Sequence, residues 1–423
     1  MTLAKSPTSK TILVLGASYA GLSTTHYLLR HILPSLSSAD PHDVVLIGSS
    51  SQVMCRPACP RALISNEFFD QTKLFVDVAK QLEQYPADSY KFVNGTAIKV
   101  DHQARTATVR MRDGTESIIT FHALIIATGA STPSPLLGLN VNEDALDEAW
   151  SSFRKALPTA KSIVIAGGGP AGVEVAGELG EYLNGRPGWF SSTASSHNVK
   201  ITLITAGERI LPALRPAIAA TAASHLRDLG VAILPNTKVS AVTPPDAGAS
   251  ISPPTSPATL TLSHGETIEA DLYIPATGTK PNTSFVPSTL LAPDGRVTTN
   301  PQTLRVDTAG PLIYSIGDCS TAFRPAIHNI IAAVPILCNN IHHDLLTSST
   351  PSPFQSTNLS SKAFPAEKHF LEDTRETQLV PIGTKKGVGA AMGWRLPGWL
   401  VWVIKGRDYW VWTTGKLWSG RQW

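Results

Sequence analysis

Residues 12–21, Ile-Leu-Val-Leu-Gly-Ala-Ser-Tyr-Ala-Gly, decide the fold of this chain. Four apolar residues typical of a buried strand lead directly into a turn with small residues at Gly16, Ser18 and Gly21. In a dinucleotide-binding turn these positions allow, in order, a tight turn, close approach of the backbone to a pyrophosphate, and close packing of helix on strand. A helical run and a second apolar run at 44–47 complete a βαβ unit.

The same pattern occurs again at residues 163–172, Ile-Val-Ile-Ala-Gly-Gly-Gly-Pro-Ala-Gly. Here the three small positions are all glycine: Gly167, Gly169 and Gly172. A helical run and an apolar strand at 201–204 follow. One such turn is equally typical of an ordinary tight loop, but two copies favour two nucleotide-binding units, each placing a pyrophosphate at the positive end of its helix.

Three further strands end in small residues. Residues 124–129 and 272–278 both finish in Ala-Thr-Gly, each about 110 residues after its glycine-rich turn, and residues 312–318 finish in Gly-Asp. This order of five motifs resembles the pyridine nucleotide-disulfide oxidoreductase superfamily, over most of residues 11–345. The resemblance implies an FAD-dependent oxidoreductase that uses NADH or NADPH.

The resemblance also implies the architecture. We expect an α/β protein with two Rossmann-like dinucleotide-binding domains, one for FAD and one for NAD(P), and a smaller α+β C-terminal domain. The expected boundaries are 1–140 and 280–345 for the two parts of the FAD domain, 141–279 for the NAD(P) domain, and 346–423 for the C-terminal domain with its Trp-rich tail.

Several residues are expected at the cofactors because they match motif positions of the superfamily. They are Gly16, Ser18, Gly21, Arg61, Thr128, Gly129, Gly167, Gly169, Gly172, Gly278, Gly317 and Asp318. The resemblance implies that Asp318 binds the ribitol of FAD and that the next helix points its N-terminus at the isoalloxazine, where it would stabilise negative charge.

Two segments resemble the apoptosis-inducing-factor-like group, which includes ferroptosis suppressor protein, and more distantly the type II NADH dehydrogenases. Residues 57–62, Pro-Ala-Cys-Pro-Arg-Ala, resemble the segment that crosses FAD in that group, which is why Arg61 is expected at the cofactor. Residues 387–409 resemble its C-terminal end. Because these flavoenzymes reduce quinones, the resemblance implies a quinone-like small-molecule acceptor.

Glu174 is the candidate catalytic residue. It lies in the first turn of the second βαβ helix, and the resemblance implies that it lies near nicotinamide and flavin. The alternative is a carboxylate that only stabilises the helix N-terminus. Hydride transfer itself needs no acid or base from the protein, because the flavin carries the chemistry.

Two acidic residues usual in such units are missing. Gly48, Ser49 and Ser50 follow the second strand of the FAD unit, so the adenosine ribose must find other partners. Thr205 and Ala206 hold the equivalent place in the NAD(P) unit, with Arg209 nearby. Without a carboxylate to repel a 2′-phosphate, the site is expected to accept NADPH as well as NADH.

The cysteines and histidines indicate neither metal nor disulfide chemistry. Four cysteines form no disulfide framework and no zinc spacing, and we expect no metal site. Cys55 and Cys59 lie where disulfide reductases of the superfamily keep a redox pair, but their spacing differs. Packing is the favoured role, and a redox role remains the alternative.

Composition excludes several classes of protein. A formal charge of +3 gives no basic face for nucleic acid, and no apolar run approaches a membrane span. Without a signal-peptide pattern, the expected location is the cytoplasm, with peripheral attachment to a membrane surface as the alternative. Polar stretches at 185–197, 243–257 and 348–361 are expected to be surface loops.

The tail from 394 to 423 holds seven of the nine tryptophans. We expect its apolar residues Leu396, Trp399, Leu400, Val403 and Ile404 to share one side of a short helix. It also carries five basic residues, Arg395, Lys405, Arg407, Lys416 and Arg421. One hypothesis is docking on an anionic membrane surface beside a quinone entrance. The other is that the tail caps the flavin domain or forms a dimer interface.

Three functional hypotheses follow. The first is an FAD-dependent NAD(P)H oxidoreductase with a quinone-like acceptor. The second is a specialised-metabolism flavoenzyme that acts on a quinone or an aromatic polyketide-like compound. The third, from another class, is a redox-signalling flavoprotein with slow turnover. Each is compatible with a monomer or a homodimer.

Overall fold

The computed structural model describes residues 9–38, 40–186, 199–250, 257–348 and 365–423. Three polar stretches are expected to be surface loops. Most of their residues, taken together, fall outside these ranges, so the expectation stays a prediction.

The first part of the chain contains nine strands and four short helices. The strands are β1 (Lys10–Leu15), β2 (His42–Gly48), β3 (Gln52–Met54), β4 (Phe75–Asp77), β5 (Tyr90–Asp101), β6 (Thr106–Met111), β7 (Glu116–Thr120), β8 (Ala123–Ile126) and β9 (Ala130–Ser131). The helices are α1 (Tyr19–Tyr27), α2 (Cys59–Ala62), α3 (Gln71–Leu74) and α4 (Val78–Leu82), with α1 continued by a π turn (Leu28–Ile32) and a 3₁₀ turn (Leu33–Ser35).

The second part alternates strands and longer helices. In chain order it contains α5 (Glu143–Ala156), β10 (Ser162–Ala166), α6 (Pro170–Asn184), β11 (Lys200–Ile204), α7 (Pro216–Asp228), β12 (Val231–Leu234), β13 (Val239–Thr243), β14 (Ala258–Leu262), β15 (Thr267–Ala270) and β16 (Leu272–Pro275).

The remaining elements return to the first sheet and then form a C-terminal layer. They are β17 (Lys280–Pro281), β18 (Ile313–Ser315), α8 (Ile327–Ser348), β19 (Gln378–Ile382), β20 (Lys386–Ala391), β21 (Trp394–Arg395), α9 (Gly398–Val401), a π turn (Trp402–Gly406) and α10 (Val411–Trp418). Further 3₁₀ turns cover Arg56–Ala58, Asn66–Phe68, Pro135–Leu137, Leu157–Thr159, Ser288–Leu290 and Asp307–Ala309.

Two parallel sheets build the nucleotide-binding units. The first has the order β18-β8-β1-β2-β5, extended by the antiparallel β6 and β7, and the second has the order β12-β11-β10-β16. In each sheet the strand before the glycine-rich turn lies in the middle, with neighbours added on both sides. Ligands bind at the carboxyl ends of strands at such a point.

Alternation along β1 explains why its sequence is apolar throughout. Ile12 and Val14 face a cluster shared with α1 and α8, whereas Leu13 and Leu15 face a second cluster shared with β5 and β6. A strand that is buried on both faces has an unbroken run of apolar residues in its sequence.

The predicted α/β class with two Rossmann-like units is confirmed, and β18 joins the first sheet from late in the chain. A three-stranded antiparallel sheet, β19-β20-β21, begins the C-terminal region. The numerical domain boundaries stay predictions. The helix that follows Gly317 and Asp318 is α8, which begins at Ile327.

Candidate active site

The first glycine-rich turn has the tight geometry that its sequence predicts. Gly16 has φ +109°, and a Cβ there would lie 2.2 Å from the carbonyl oxygen of Ala127. A Cβ on Gly21 would lie 1.7 Å from the carbonyl oxygen of Gly16. Ser18, at the middle position, is exposed at the N-cap of α1 and blocks nothing. The turn thus leaves backbone N–H groups open at the start of the helix.

A cavity of about 600 Å³ lies at this turn. Its walls bring together six of the expected residues: Gly16, Ser18, Thr128, Gly129, Gly317 and Asp318. Its volume falls in the range of small-molecule sites. The residues therefore fit an FAD molecule, for which the turn would be the pyrophosphate contact and Asp318 the expected ribitol contact.

The second turn repeats the first. Gly167 has φ +130°, and a Cβ there would lie 2.1 Å from the carbonyl oxygen of Ala276. A Cβ on Gly172 would lie 2.0 Å from the carbonyl oxygen of Gly167, while nothing lies within 4 Å of one on Gly169. The backbone at Gly169 is thus open to a ligand at the N-terminus of α6.

A larger cavity, of about 900 Å³, extends from this turn to Asp318. Gly167, Gly169 and Gly278 line it on the nucleotide side. Glu174, Asp318 and the start of α8 at Ile327 line it too. Because Asp318 lines both cavities, the two expected cofactor sites meet there.

Glu174 lies in this cavity wall as one member of a buried ion pair. It is the fifth residue of α6, just after the first turn in which it was expected. Lys405 of the C-terminal π turn donates to its Oε1 at 2.5 Å and to the Leu379 carbonyl oxygen at 3.1 Å. Burial raises the pKa of Glu174 to about 7, against the lowering effect of Lys405. A carboxyl near neutrality can hold or release a proton at physiological pH.

A second buried ion pair lies one helical turn further along α6. Glu178 accepts two hydrogen bonds from Arg61, at 3.0 and 2.8 Å, and one from the Tyr409 hydroxyl at 2.9 Å. The Arg61 guanidinium also packs 4.8 Å from the centre of the Tyr409 ring. These contacts hold α2, α6 and the C-terminal region together.

The Arg61 guanidinium is engaged with Glu178 and lines neither cavity, so its expected contact with a cofactor stays a prediction that this geometry does not support. Arg56, five residues earlier in the chain, is placed differently. It lines both cavities, donates to the carbonyl oxygen of Ala130 at 3.1 Å, and lies 3.7 Å from the Asp318 carboxylate. Burial raises the pKa of Asp318, and Arg56 opposes this shift.

A carboxylate lies near the end of β2, although residues 48–50 at the end of this strand include no acidic residue. Glu143, the first residue of α5, accepts hydrogen bonds from the hydroxyls of Ser50 at 2.6 Å and Ser51 at 2.5 Å. These bonds and Arg112 lower its pKa to about 2 despite its burial. Glu143 itself does not line the adjacent cavity, whereas Ser49 and Ser50 do.

The cysteine pair lies in the protein interior. Cys55 and Cys59 are both buried and free, and burial raises their pKa values to about 11 and about 12. A thiol that stays protonated is a poor nucleophile. Among the described residues, no cluster of three or more His, Cys, Asp or Glu side chains is placed to hold a metal ion.

The tail divides into a packed part and an exposed part. Trp418 is buried, with its ring 4.6 Å from that of Tyr19, and Trp423 packs on Tyr27. Trp394, Trp399, Val403 and Trp412 are exposed, together with Met392 just before the tail; these five residues are the exposed tail patch. In the described ranges no helix is long and apolar enough to cross a bilayer.

Two expectations for the tail need correction. Leu396 lies outside the helix, because α9 begins at Gly398 after Pro397 and changes to π geometry at Trp402. Lys405 is not a surface cation, because it is buried against Glu174.

Lys405 and Arg56 are thus site residues that sequence reasoning missed. Lys405 lies within residues 387–409 and Arg56 directly precedes residues 57–62, the two segments that resemble flavoenzymes. The sequence therefore carried a signal for both regions. Neither could be assigned, because Lys405 meets its partner 231 residues away.

Comparison with known proteins agrees with this geometry. The family model for pyridine nucleotide-disulphide oxidoreductases matches residues 10–335. Oxidoreductase phnG of Penicillium herquei is 55% identical over 99% of both chains, and oxidoreductase ptaL of Pestalotiopsis fici is 31% identical over 94% of this chain and 95% of its own. The structure of NDH2 from Plasmodium falciparum in complex with NADH superposes with a TM-score of 0.63 at 16% identity, covering 98% of this chain and 96% of that one.

Proposed function

The chain belongs to the pyridine nucleotide-disulphide oxidoreductase family, whose cofactors are FAD and NAD(P)H, and we propose that it reduces a quinone-like acceptor. When bound, FAD supplies the two-electron chemistry between nucleotide and acceptor. The observation that carries the proposal is the buried pair of Glu174 and Lys405 in the wall of the larger cavity, between the second glycine-rich turn and Asp318.

The first task of this chain is to orient the nucleotide. Gly169 leaves the N-terminus of α6 accessible, where N–H groups and the helix dipole favour a pyrophosphate. The nicotinamide end of a bound nucleotide would then extend toward Glu174, which lines the same cavity. Because the same cavity reaches Asp318, this orientation would bring the reacting groups together in one cavity.

The second task is to manage a proton. Reduction of a quinone to a hydroquinone by NAD(P)H consumes one additional proton, in a balance of NAD(P)H, H⁺ and quinone against NAD(P)⁺ and hydroquinone. Glu174, with a pKa near 7, holds a proton in a substantial fraction of molecules at neutral pH. The Lys405 ammonium donates to Glu174 and fixes its position. The pair is therefore proposed as the proton donor to the acceptor oxygen.

The cavity wall fits a flat apolar acceptor. Pro57, Pro60, Leu137, Ile327 and Ile330 line the cavity together with Glu174 and Lys405. Apolar walls with few polar groups are typical of sites for aromatic ligands. A quinone ring would be held by the apolar side chains and would present an oxygen to the ion pair.

A specialised-metabolism flavoenzyme is the second candidate. It is favoured by similarity to fungal oxidoreductases along almost the full length of the chain, since one of them is 55% identical. The cofactors and the proton donor would be the same, and only the acceptor would change to a quinone or an aromatic polyketide-like compound. A signalling flavoprotein would bind the same cofactors as the two enzyme candidates but would turn over slowly.

A membrane surface is the proposed source of a lipophilic acceptor. The exposed tail patch presents Trp394, Trp399 and Trp412 to solvent, with the exposed cations Arg395 and Arg407 beside them. Tryptophan favours the membrane interface, and cations favour anionic lipid. The proposed location is the cytoplasm, with peripheral attachment through this patch.

The acceptor is tested by rapid mixing. Protein reduced anaerobically with one equivalent of NADPH is mixed with benzoquinones, naphthoquinones, a disulfide or oxygen, and flavin reoxidation is followed. Rapid reoxidation by quinones supports the proposal. Faster reoxidation by the disulfide or by oxygen than by every quinone contradicts it, and uniformly slow reoxidation favours the signalling protein.

A further inference from the structure

A lysine from a distant loop lies beside the turn that follows β11. The turn, Thr205 to Gly207, occupies the place where an acidic residue would bind the adenosine ribose of NADH. Thr205, Ala206 and Gly207 line the larger cavity, and so does Lys238, from the segment between β12 and β13.

Backbone hydrogen bonds fix this arrangement. Asn236 N–H donates to the Gly207 carbonyl oxygen at 2.9 Å, and Thr237 N–H donates to the Thr205 carbonyl oxygen at 3.0 Å. Lys238 is held on its other side by Ser263, whose N–H donates to the Lys238 carbonyl oxygen at 2.8 Å. The lysine backbone is thus anchored next to the turn, and its side chain is exposed.

The electrostatics at this end of the cavity favour an anion. Within the described ranges, no ion pair engages the Lys238 ammonium. Arg209 is a second exposed cation at the same turn. Glu208, the nearest acid in sequence, is exposed and does not line the cavity. An ammonium group binds phosphate well, and no carboxylate in the cavity wall here opposes it.

We propose that Lys238 binds the 2′-phosphate of NADPH and so makes NADPH the preferred nucleotide. The inference rests on the proposed use of NAD(P)H and not on the identity of the acceptor. It assigns the selectivity for NADPH over NADH to a residue outside the strand–turn–helix motif. Arg209 is a secondary contributor, since it does not line the cavity.

Isothermal titration calorimetry of FAD-loaded protein tests this without turnover. The probes are 2′,5′-ADP and 5′-AMP, which differ by the phosphate in question. We expect 2′,5′-ADP to bind about tenfold more tightly than 5′-AMP, in line with a hydrogen bond between charged groups. This preference should shrink at high salt. Lys238→Ala should remove most of it, and Lys238→Arg should keep it.

Lys200→Ala is the matched control, because Lys200 begins β11 and so lies at the opposite end of that strand. It removes the same charge and should leave the preference intact. Equal affinity of the wild-type protein for both probes, or an unchanged preference in Lys238→Ala, overturns the proposal. Neither probe carries a nicotinamide, so the result does not depend on which acceptor the enzyme uses.

Discussion

Lys405 Nζ lies 2.5 Å from Glu174 Oε1, although 231 residues separate the two in the chain. Both side chains are buried, and both line the cavity that the second glycine-rich turn opens into. A buried ion pair is a weak source of stability, because desolvation offsets the attraction between its charges. Its position in a cavity wall instead suggests a role in moving a proton.

The first prediction concerns pH. Glu174 is protonated below its raised pKa of about 7, so acceptor reduction should fall about tenfold per pH unit above pH 7. Glu174→Gln removes this titration and should slow acceptor reduction by about a hundredfold while leaving flavin reduction by NAD(P)H largely intact. Stopped-flow measurement of the two half-reactions across pH checks both effects.

Two further variants separate chemistry from stability. Glu174→Gln alone leaves Lys405 buried without its partner, whereas Glu174→Gln with Lys405→Met removes both charges and should recover stability. Glu181→Gln removes a carboxylate from the same helix at a more exposed ion pair and should not affect rate. Equal slowing of both half-reactions in the double variant contradicts a proton-donor role.

The second prediction concerns flavin retention. Asp318 lines both cavities, so Asp318→Ala should raise the FAD dissociation constant about tenfold or more, through loss of a hydrogen bond to a charged group. Flavin fluorescence after dilution measures this. Asp294→Ala, at an exposed aspartate, is the control and should retain flavin normally. Undiminished flavin in Asp318→Ala would place the ribitol elsewhere.

The third prediction distinguishes the two arginines. Arg61→Met leaves Glu178 buried without its cation and should lower the free energy of unfolding by about 3–5 kcal/mol. Arg56→Met should cost little stability, because its side chain is less buried, but should weaken flavin binding. Denaturant unfolding and flavin titration on both variants check the assignment. The reverse pattern would restore Arg61 as the cofactor residue.

The fourth prediction is that the cysteine pair is dispensable. Cys55→Ala with Cys59→Ala avoids burying new hydroxyls and should leave quinone reduction largely unchanged, since thiols with pKa values near 11 and 12 are not ionised at neutral pH. Steady-state assays on the flavin-loaded variant test this. Loss of turnover with flavin retained would favour a disulfide-reductase mechanism.

The fifth prediction concerns the exposed tail patch. Deleting the whole tail would remove Lys405 and the buried Trp418, so point changes are needed. Trp394→Ser, Trp399→Ser and Trp412→Ser together should abolish binding to anionic liposomes and impair long-tailed quinones more than short ones. Co-sedimentation with vesicles and parallel quinone assays measure this.

The control for the patch is Ile118→Ser with Leu371→Ser, two exposed apolar residues outside the tail. This variant should bind vesicles like the wild type. If the wild-type protein ignores anionic vesicles, or if both variants lose binding equally, the patch is not a membrane site.

The two nucleotide-binding turns were predictable because their requirements are local. Gly16 and Gly167 have positive φ values and lie where a Cβ would collide with the backbone. Glycine meets both requirements, and each motif is recognisable within ten residues of sequence. Strands such as β1 were predictable for the same reason, since burial on both faces produces an unbroken apolar run.

The ion pairs were not predictable, because they join segments that only tertiary packing brings together. Arg56 and Arg61 lie five residues apart, and the sequence does not reveal which one faces the cavity. Lys405 belongs to a basic tail by composition, and only its contact with Glu174 shows that it is buried.

Anaerobic titration of the purified protein with NADPH and NADH tests the central claim most directly. The account predicts a yellow protein with non-covalent FAD whose flavin absorbance is bleached stoichiometrically by the nucleotide and restored by a quinone. A protein that purifies colourless and cannot be loaded with FAD, or whose bound flavin neither nucleotide bleaches, would contradict it.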